Sequence, residues 1–364
     1  MIATATSPRF RRFTILTAGL FTTIALAAGC AAPGEDAFDS TPTTTAISAD
    51  DHDADLAVLE EGNVEEALQQ IVDDVEEDFG GTVSLAVEGD DSAHLAGSDG
   101  SEPAWSTIKV PIAIAALRDG APEELVDSAI KESDNDAAYT LWQQVEWAEG
   151  SAQESIEALL NDFESNVEME QAFGMSTWKV KDQARFASRL GCVPEFEYVY
   201  EAMQDIVDWQ QWGLATLEGV HSKGGWGLDD TNGVYTSRQL GVMPVASQND
   251  VPGGAIGVAL SMSWDTWGQD SDAAEEAGYD STEDLAAAAL NEIALRMETV
   301  IEKALETGQL KAVDDCIKAE ESAAEASRSK EAASPEESEE AESTDEPTAT
   351  VSSTRNRGES DDAE

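Results

Sequence analysis

Basic residues are scarce in this chain. Only 20 lysines and arginines stand against 75 aspartates and glutamates, a formal net charge of −55 over 364 residues. That balance excludes a nucleic-acid partner, because a phosphate backbone has to be met by lysine and arginine in quantity. It also disfavours direct attraction to anionic lipid. An excess of one sign keeps a chain soluble and suits a salty or alkaline surrounding, but it says little about chemistry. Histidine is almost missing, at three residues. His52 lies in Asp51-His52-Asp53, a solvated charge cluster, and His94 in a hairpin; neither makes a metal-ligand pattern. No metal and no cofactor are expected. His221, two places before Lys223, is the one histidine with a neighbourhood that suggests a site.

Cysteine is equally rare, with three residues at 30, 192 and 316. An apolar run long enough to span a membrane comfortably is lacking even at the N-terminus. There, Arg9, Arg11 and Arg12 precede the short run Phe13–Ala28, a layout of an export signal rather than an anchor. The run ends in Leu26-Ala27-Ala28-Gly29-Cys30, which resembles the lipobox of bacterial lipoproteins. That resemblance implies lipidation of Cys30, removal of residues 1–29, and a lipid anchor on the outer face of a bacterial cell membrane. In such an oxidising compartment Cys192 and Cys316 are left as a candidate disulfide.

The hydrophobic content of 41% is ordinary, and the length allows one large domain or two small ones. Residues 30–58 are rich in Ala, Thr, Asp and Ser and read as a flexible acidic tether; residues 319–364 read as a disordered acidic tail. The folded domain is expected over 59–318. Val64, Ala67, Leu68, Ile71 and Val75 recur at helical spacing, and two strands follow at 82–87 and 92–96. Helices are expected from Ser106 to Asp119, over 123–131, 137–145 and 179–190, and one or two more over 196–217. Residues 146–175 read as a short helix and a long loop. Strands return at 221–228, 234–245 and 255–263, before a long Ala- and Leu-rich helix over 285–310. This order predicts an α/β (α+β) fold: an antiparallel sheet flanked by helices, formed from both chain ends, with an all-helical lobe inserted between them. The chain is expected to be a monomer.

Three polar elements stand out in one order. Ser106-Thr107-Ile108-Lys109 heads an almost wholly apolar run ending at Leu117. A helix there places Ser106 and Lys109 one turn apart on one face, and a buried lysine loses its preference for the charged form. A serine within reach of such an amine is an activated nucleophile. Pro111 in such a helix would displace the carbonyl of Thr107. Ser133-Asp134-Asn135 follows in a turn between helices, and Lys223-Gly224-Gly225 opens a strand. Ser-x-x-Lys occurs three more times, at Ser128, Ser176 and Ser327. The first ends two residues before Ser133, the second has no Ser-Asp-Asn after it, and the third lies in the acidic tail.

Together these elements resemble the penicillin-recognising serine enzymes, most closely the class A β-lactamase branch with its S-x-x-K, S-D-N and K-T-G motifs. The resemblance covers residues 60 to 310. It implies a β-lactamase-like fold, Ser106 as the acylated nucleophile and Lys109 as its proton acceptor. Ser133 would relay a proton to the leaving nitrogen, with Lys223 alongside. Asn135 would bind the substrate's acyl-amide, and Gly224 and Gly225 would line the substrate strand. The N–H groups of Ser106 and Trp226 would form an oxyanion hole. Trp226, Trp264 and Trp267 are candidates to line a groove.

Three departures accompany the match. Gly224 replaces the family's threonine, removing a hydroxyl for which His221 or Ser222 would have to compensate. The E-x-x-L-N loop carrying the deacylating glutamate is missing, and only Glu168 and Glu170 fall near its place. The interval from Ser106 to Ser133 is also shorter than in that branch. Two functions follow as expectations. One is an envelope-tethered serine acyl-hydrolase acting on a β-lactam or a related amide or peptidoglycan peptide, with slow release. The other is a non-catalytic binding or scaffold lipoprotein of the same fold.

Overall fold

The computed structural model describes residues 49–90, 93–247, 253–314 and 316. The expected signal peptide, Cys30, most of the tether and the acidic tail lie outside these residues. The first correction comes at their start. Ala49–Glu61 forms a helix, α1, where a tether was expected to run to residue 58. Its sequence shows little amphipathic pattern; a tertiary ion pair holds it instead. Asp55, fully buried, accepts two hydrogen bonds from Arg296 at 2.8 and 2.7 Å, and Arg296 also reaches Asp74 at 2.6 Å. His52, expected in a solvated cluster, meets Thr299 Oγ1 at 2.9 Å.

Helix α2, Val64–Phe79, starts at Asn63, whose side chain accepts from Glu66 N, and buries the apolar stripe its spacing predicts. Strands β1, Thr82–Glu88, and β2, Ala93–Gly97, follow. The inserted lobe holds α3 (Lys109–Arg118), α4 (Glu123–Lys131), α5 (Asn135–Glu149), α6 (Ala152–Asn161), α7 (Val180–Leu190) and α8 (Glu197–Ala202). Where one or two helices were expected over 196–217, α8 is short and gives way to 3₁₀ turns at Asp208–Gln210 and Gly213–Thr216. Strands β3 (His221–Asp229), β4 (Val234–Val245) and β5 (Gly254–Asp265) then complete the sheet, followed by α9 (Ala273–Ala277) and α10 (Thr282–Thr307).

All strand pairs are antiparallel, in the order β2-β1-β5-β4-β3. The sheet therefore draws β1 and β2 from one end of the domain and β3–β5 from the other, around an inserted helical lobe, as the element order implied. Its two faces differ in character. Leu85 pairs with Leu260 and Val83 with Met262, and this apolar face packs under α2 and α10. Each such fully buried aliphatic contributes about 1.5–3 kcal/mol. On the opposite face Ser84 pairs with Ser261 and Thr82 with Ser263, and Ser261 in turn with Arg238. Helix α7 covers part of that face through Val180 and Ala184, close enough that a β-carbon at Gly257 would strike the Ala184 carbonyl. The lobe has its own core, including Ile112, Ile130, Leu141, Trp142 and Phe186. Cys192, just past α7, is disulfide-bonded to Cys316, beyond α10. Among the described residues no helix is long and apolar enough to cross a membrane.

Candidate active site

The segment that carries Ser106 does not continue α3 backwards. Trp105–Ile108 is a 3₁₀ turn, and the α-helix begins at Lys109. This corrects the expectation for Pro111, which sits in the first turn of α3, where backbone N–H groups have no intrahelical partner to lose. The apolar run is nonetheless buried as expected: Ser106 is 2% and Lys109 1% exposed. Thr107 fixes the turn by donating to the Ala104 carbonyl at 2.5 Å and accepting from Gln183 of α7 at 2.9 Å.

The Ser-Asp-Asn turn is built from three separate devices. Asp134 is the N-cap of α5, accepting from Ala137 N at 2.6 Å. The Asp134 N–H closes onto the Ser128 carbonyl, and Val207 N onto that of Lys131. Lys131 itself pairs with Asp127 and Asp205 at 3.3 and 3.2 Å. Between these anchors Ser133 is forced to φ 59, and Trp105, preceding Ser106, has φ 50. Only three non-glycine residues with positive φ occur among the described residues, and two of them sit here. Each such backbone costs on the order of 1–3 kcal/mol, which the surrounding structure has to sustain.

Side chains from three elements meet at Ser133. Lys109 donates to the Ser133 carbonyl (2.5 Å), to Ser133 Oγ (3.2 Å) and to Asn135 Oδ1 (2.8 Å). Lys223, fully buried on β3, donates to Ser133 Oγ at 3.0 Å and to the Gly224 carbonyl at 2.8 Å. One serine hydroxyl thus lies between two lysines. Gly225 brings β3 to the nucleophile: a β-carbon there would lie 2.5 Å from Ser106 N and 2.9 Å from Thr107 N. β3 is an edge strand, so alternate residues turn their N–H and C=O outward. The Ser222 N–H bonds the Met203 carbonyl outside the sheet, which sets the parity and turns the Trp226 N–H the same way, beside Ser106.

Several candidates are placed elsewhere. His221 is buried and stacked on Tyr200 at 3.8 Å, with its Nδ1–H donated to the Tyr200 carbonyl at 2.7 Å. Burial pushes its pKa from 6.5 down to about 4. Ser222 shares the face of Gly224 but sits two residues away, against Gly241. Neither stands in for the hydroxyl absent at Gly224, where Trp212 fills the space: a β-carbon at 224 would meet its ring at 3.0 Å. Trp226 is half-buried, edge-on to Trp209 and Trp212 at 5.9 and 5.8 Å. Trp264 is core, and Trp267 is 62% exposed. Glu168 and Glu170 are both exposed; the Glu168 backbone bridges Thr177, and its charge falls on Lys179. The turn that packs on Ser106's own segment from this loop is Phe173–Met175, where a β-carbon on Gly174 would lie 3.8 Å from the Trp105 backbone.

The His221 shift predicts an acid sensitivity. Its folded pKa lies below the unfolded one, so its contribution is complete above pH 6.5 and is lost as pH falls toward 4. The difference between the two values corresponds to roughly 3 kcal/mol of unfolding free energy. Urea midpoints measured from pH 7 to 4.5 should show this slope, and His221→Phe should flatten it.

Sequence reasoning passed over Arg238. It is fully buried on β4 and donates to the carbonyls of Glu102 (2.8 Å), Pro103 (3.1 Å), Gly100 (3.4 Å) and Trp178 (2.7 Å). These bonds hold the strand of chain that leads into Ser106. Burial lowers its pKa to about 10, against which the nearby Glu102 charge works. The signal was available: Arg238 is the one charged residue in the otherwise uncharged stretch Val234–Val245.

No protein-family model and no curated protein matches the chain. Solved structures similar to it include the TLA-3 extended-spectrum beta-lactamase, at 12% identity and a TM-score of 0.48, covering 66% of this chain and 99% of that one. The TLA-1 extended-spectrum beta-lactamase gives 12% and 0.49, covering 65% and 99%. A class A beta-lactamase from Mycobacterium abscessus gives 15% and 0.44, covering 63% and 98%. At such values the chemistry of the site rests on its own residues.

Proposed function

We propose that the chain is a serine acyl-hydrolase that attacks a β-lactam or a related amide or peptidoglycan peptide through Ser106. The observation that carries this is the convergence of Lys109 and Lys223 on Ser133 Oγ, at 3.2 and 3.0 Å, beside the turn that presents Ser106. In this reading Ser106 Oγ forms a bond to the carbonyl carbon and gives its proton to Lys109 in the amine form. The oxygen of the tetrahedral intermediate is held by the N–H groups of Ser106 and Trp226, an arrangement worth several kcal/mol. Ser133 then passes a proton to the leaving nitrogen as the C–N bond breaks, and Lys223 supports the charge of the hydroxyl it touches. Water completes the cycle by cleaving the acyl ester.

That last step has the least support. The exposed carboxylates of Glu168 and Glu170 leave slow release as the reading for an acylated chain, and they favour the second reading, a binding protein of the same fold without turnover. The proposal also places the protein outside the cell membrane on a lipid at Cys30. The Leu26–Cys30 sequence supports this, as does a Cys192–Cys316 disulfide suited to an oxidising compartment.

Intact-mass spectrometry after incubation with a penicillin tests the two readings. A single adduct that persists in the native chain and is absent from Ser106→Ala is the expected result. No adduct together with no hydrolysis assigns the chain to the binding reading.

A further inference from the structure

Helix α7 meets the nucleophile turn through one polar side chain. Gln183, the fourth residue of α7, is fully buried, and its Nε2 lies 2.9 Å from Thr107 Oγ1. Val180 and Ala184, on the same helix, pack on the sheet instead. Thr107 is fully buried too, and it closes the turn twice. Its N–H reaches the Ala104 carbonyl at 3.2 Å, and its hydroxyl reaches the same oxygen at 2.5 Å. Those two bonds span Trp105 and Ser106, the former at φ 50. A backbone in that region persists only where its surroundings hold it. β3 presses on the same turn, since a β-carbon at Gly225 would lie 2.9 Å from Thr107 N.

Protons decide which way this contact runs. The Ala104 carbonyl can only accept, so the single proton of the Thr107 hydroxyl lies on that bond. Gln183 therefore presents its amide N–H to Thr107, because its carbonyl would compete for the proton that the turn uses. The other end of the amide is left over. Among the described residues Gln183 Oε1 is buried and meets no donor. An amide buried with one end unsatisfied opposes folding, and an apolar side chain of similar shape would avoid that cost. Stability alone does not account for a glutamine at this place; orientation of the Thr107 hydroxyl does.

We propose that Gln183 is a positioning residue for Ser106. By donating to Thr107 Oγ1 it commits the hydroxyl proton to Ala104. The turn is then held in the geometry that sets Ser106 against Gly225 and its carbonyl on the Lys109 N–H. Gln183 touches no substrate and moves no proton in the reaction. This role rests on the acyl-transfer reading and brings α7 into it.

Adduct formation with a penicillin, followed by quenched-flow mass spectrometry alongside urea unfolding, tests it. Gln183→Met should hold or raise the urea midpoint, yet form the Ser106 adduct about tenfold to a hundredfold more slowly. Thr107→Val should be slow as well. The double variant should be no slower than Thr107→Val alone, because both side chains act through one hydroxyl. Gln183→Glu supplies a pH signature. Its carboxyl, raised by burial, donates to Thr107 only while protonated. Its rate relative to the native chain should therefore rise from about pH 8 to about pH 5.5. Gln183→Met, with nothing to titrate at 183, should show no such trend. A native chain that forms no adduct overturns the acyl-transfer reading and this role together. Given a native adduct, an unchanged rate in Gln183→Met, losses that multiply in the double variant, or a flat ratio in Gln183→Glu overturns the positioning role alone.

Discussion

Lys109→Met should abolish rapid acylation of Ser106 while leaving the chain at least as stable as before. The two effects separate because the lysine serves two different equilibria. Its side chain is 1% exposed, and Nζ is held by the Ser133 carbonyl, Ser133 Oγ and Asn135 Oδ1. Taking a charge that deep out of water is expensive, and replacing it by an apolar side chain of similar length is commonly neutral or stabilising. The acceptors left behind belong to Ser133 and Asn135, which are only half-buried, so water can replace the amine there; an acceptor kept dry would cost about 1–3 kcal/mol. Chemistry runs the other way. Without the amine, the Ser106 proton has no acceptor one turn away, and general-base assistance is worth about 10²–10⁴-fold. The adduct rate, followed by quenched-flow mass spectrometry, should fall by that order while the urea midpoint holds or rises. An unchanged adduct rate would remove Lys109 from the reaction.

Arg238→Met should have the opposite signature, with stability and reactivity falling together. Four carbonyls converge on one guanidinium, and three of them, from Gly100, Glu102 and Pro103, belong to the chain entering the nucleophile turn. Deleting the donor leaves the buried Gly100 and Trp178 carbonyls unpaired and removes the tie on the half-buried Glu102 and Pro103. Each carbonyl left buried without a donor costs about 1–3 kcal/mol. The loop is then free to drift, and a displacement of an ångström at a reacting atom costs on the order of 10²-fold in rate. Arg238→Lys keeps the charge but lacks the planar fork, so it should recover only part of both losses. Urea unfolding and adduct rate measured on the same samples check this. Full activity in a destabilised Arg238→Met chain would show that the carbonyls it holds do not position Ser106.

Much of the fold was readable because its signals are local. The stripe from Val64 to Val75, the strand at 82–88 and the limits of α4 follow from the spacing of apolar residues and from caps and glycines adjacent in sequence. Helix α1 was not readable, because what holds it is Arg296, far along the chain on α10. The same holds for the segment 203–217. Its residues favour helix, yet it must run from the Lys131 carbonyl to the Gly224 strand, and 3₁₀ turns make that path.

The candidate site divides in the same manner. Amino-acid sequence by itself determined which groups are present: a serine and lysine at the head of a buried run, a Ser-Asp-Asn turn, a lysine before two glycines, and a charge that excludes nucleic acid. These are matters of residue type and near-neighbour spacing. Only the tertiary structure decided that Lys109 and Lys223 share one hydroxyl and that Gly225 admits the Ser106 backbone. It also turned His221 into the shelter of Tyr200, filled the space beside Gly224 with Trp212, and left the Glu168 side chain exposed. The physical reason is strand parity and close packing. A shift of one residue along β3 reverses the face a side chain occupies, and no spacing within the sequence states which ring already fills the gap.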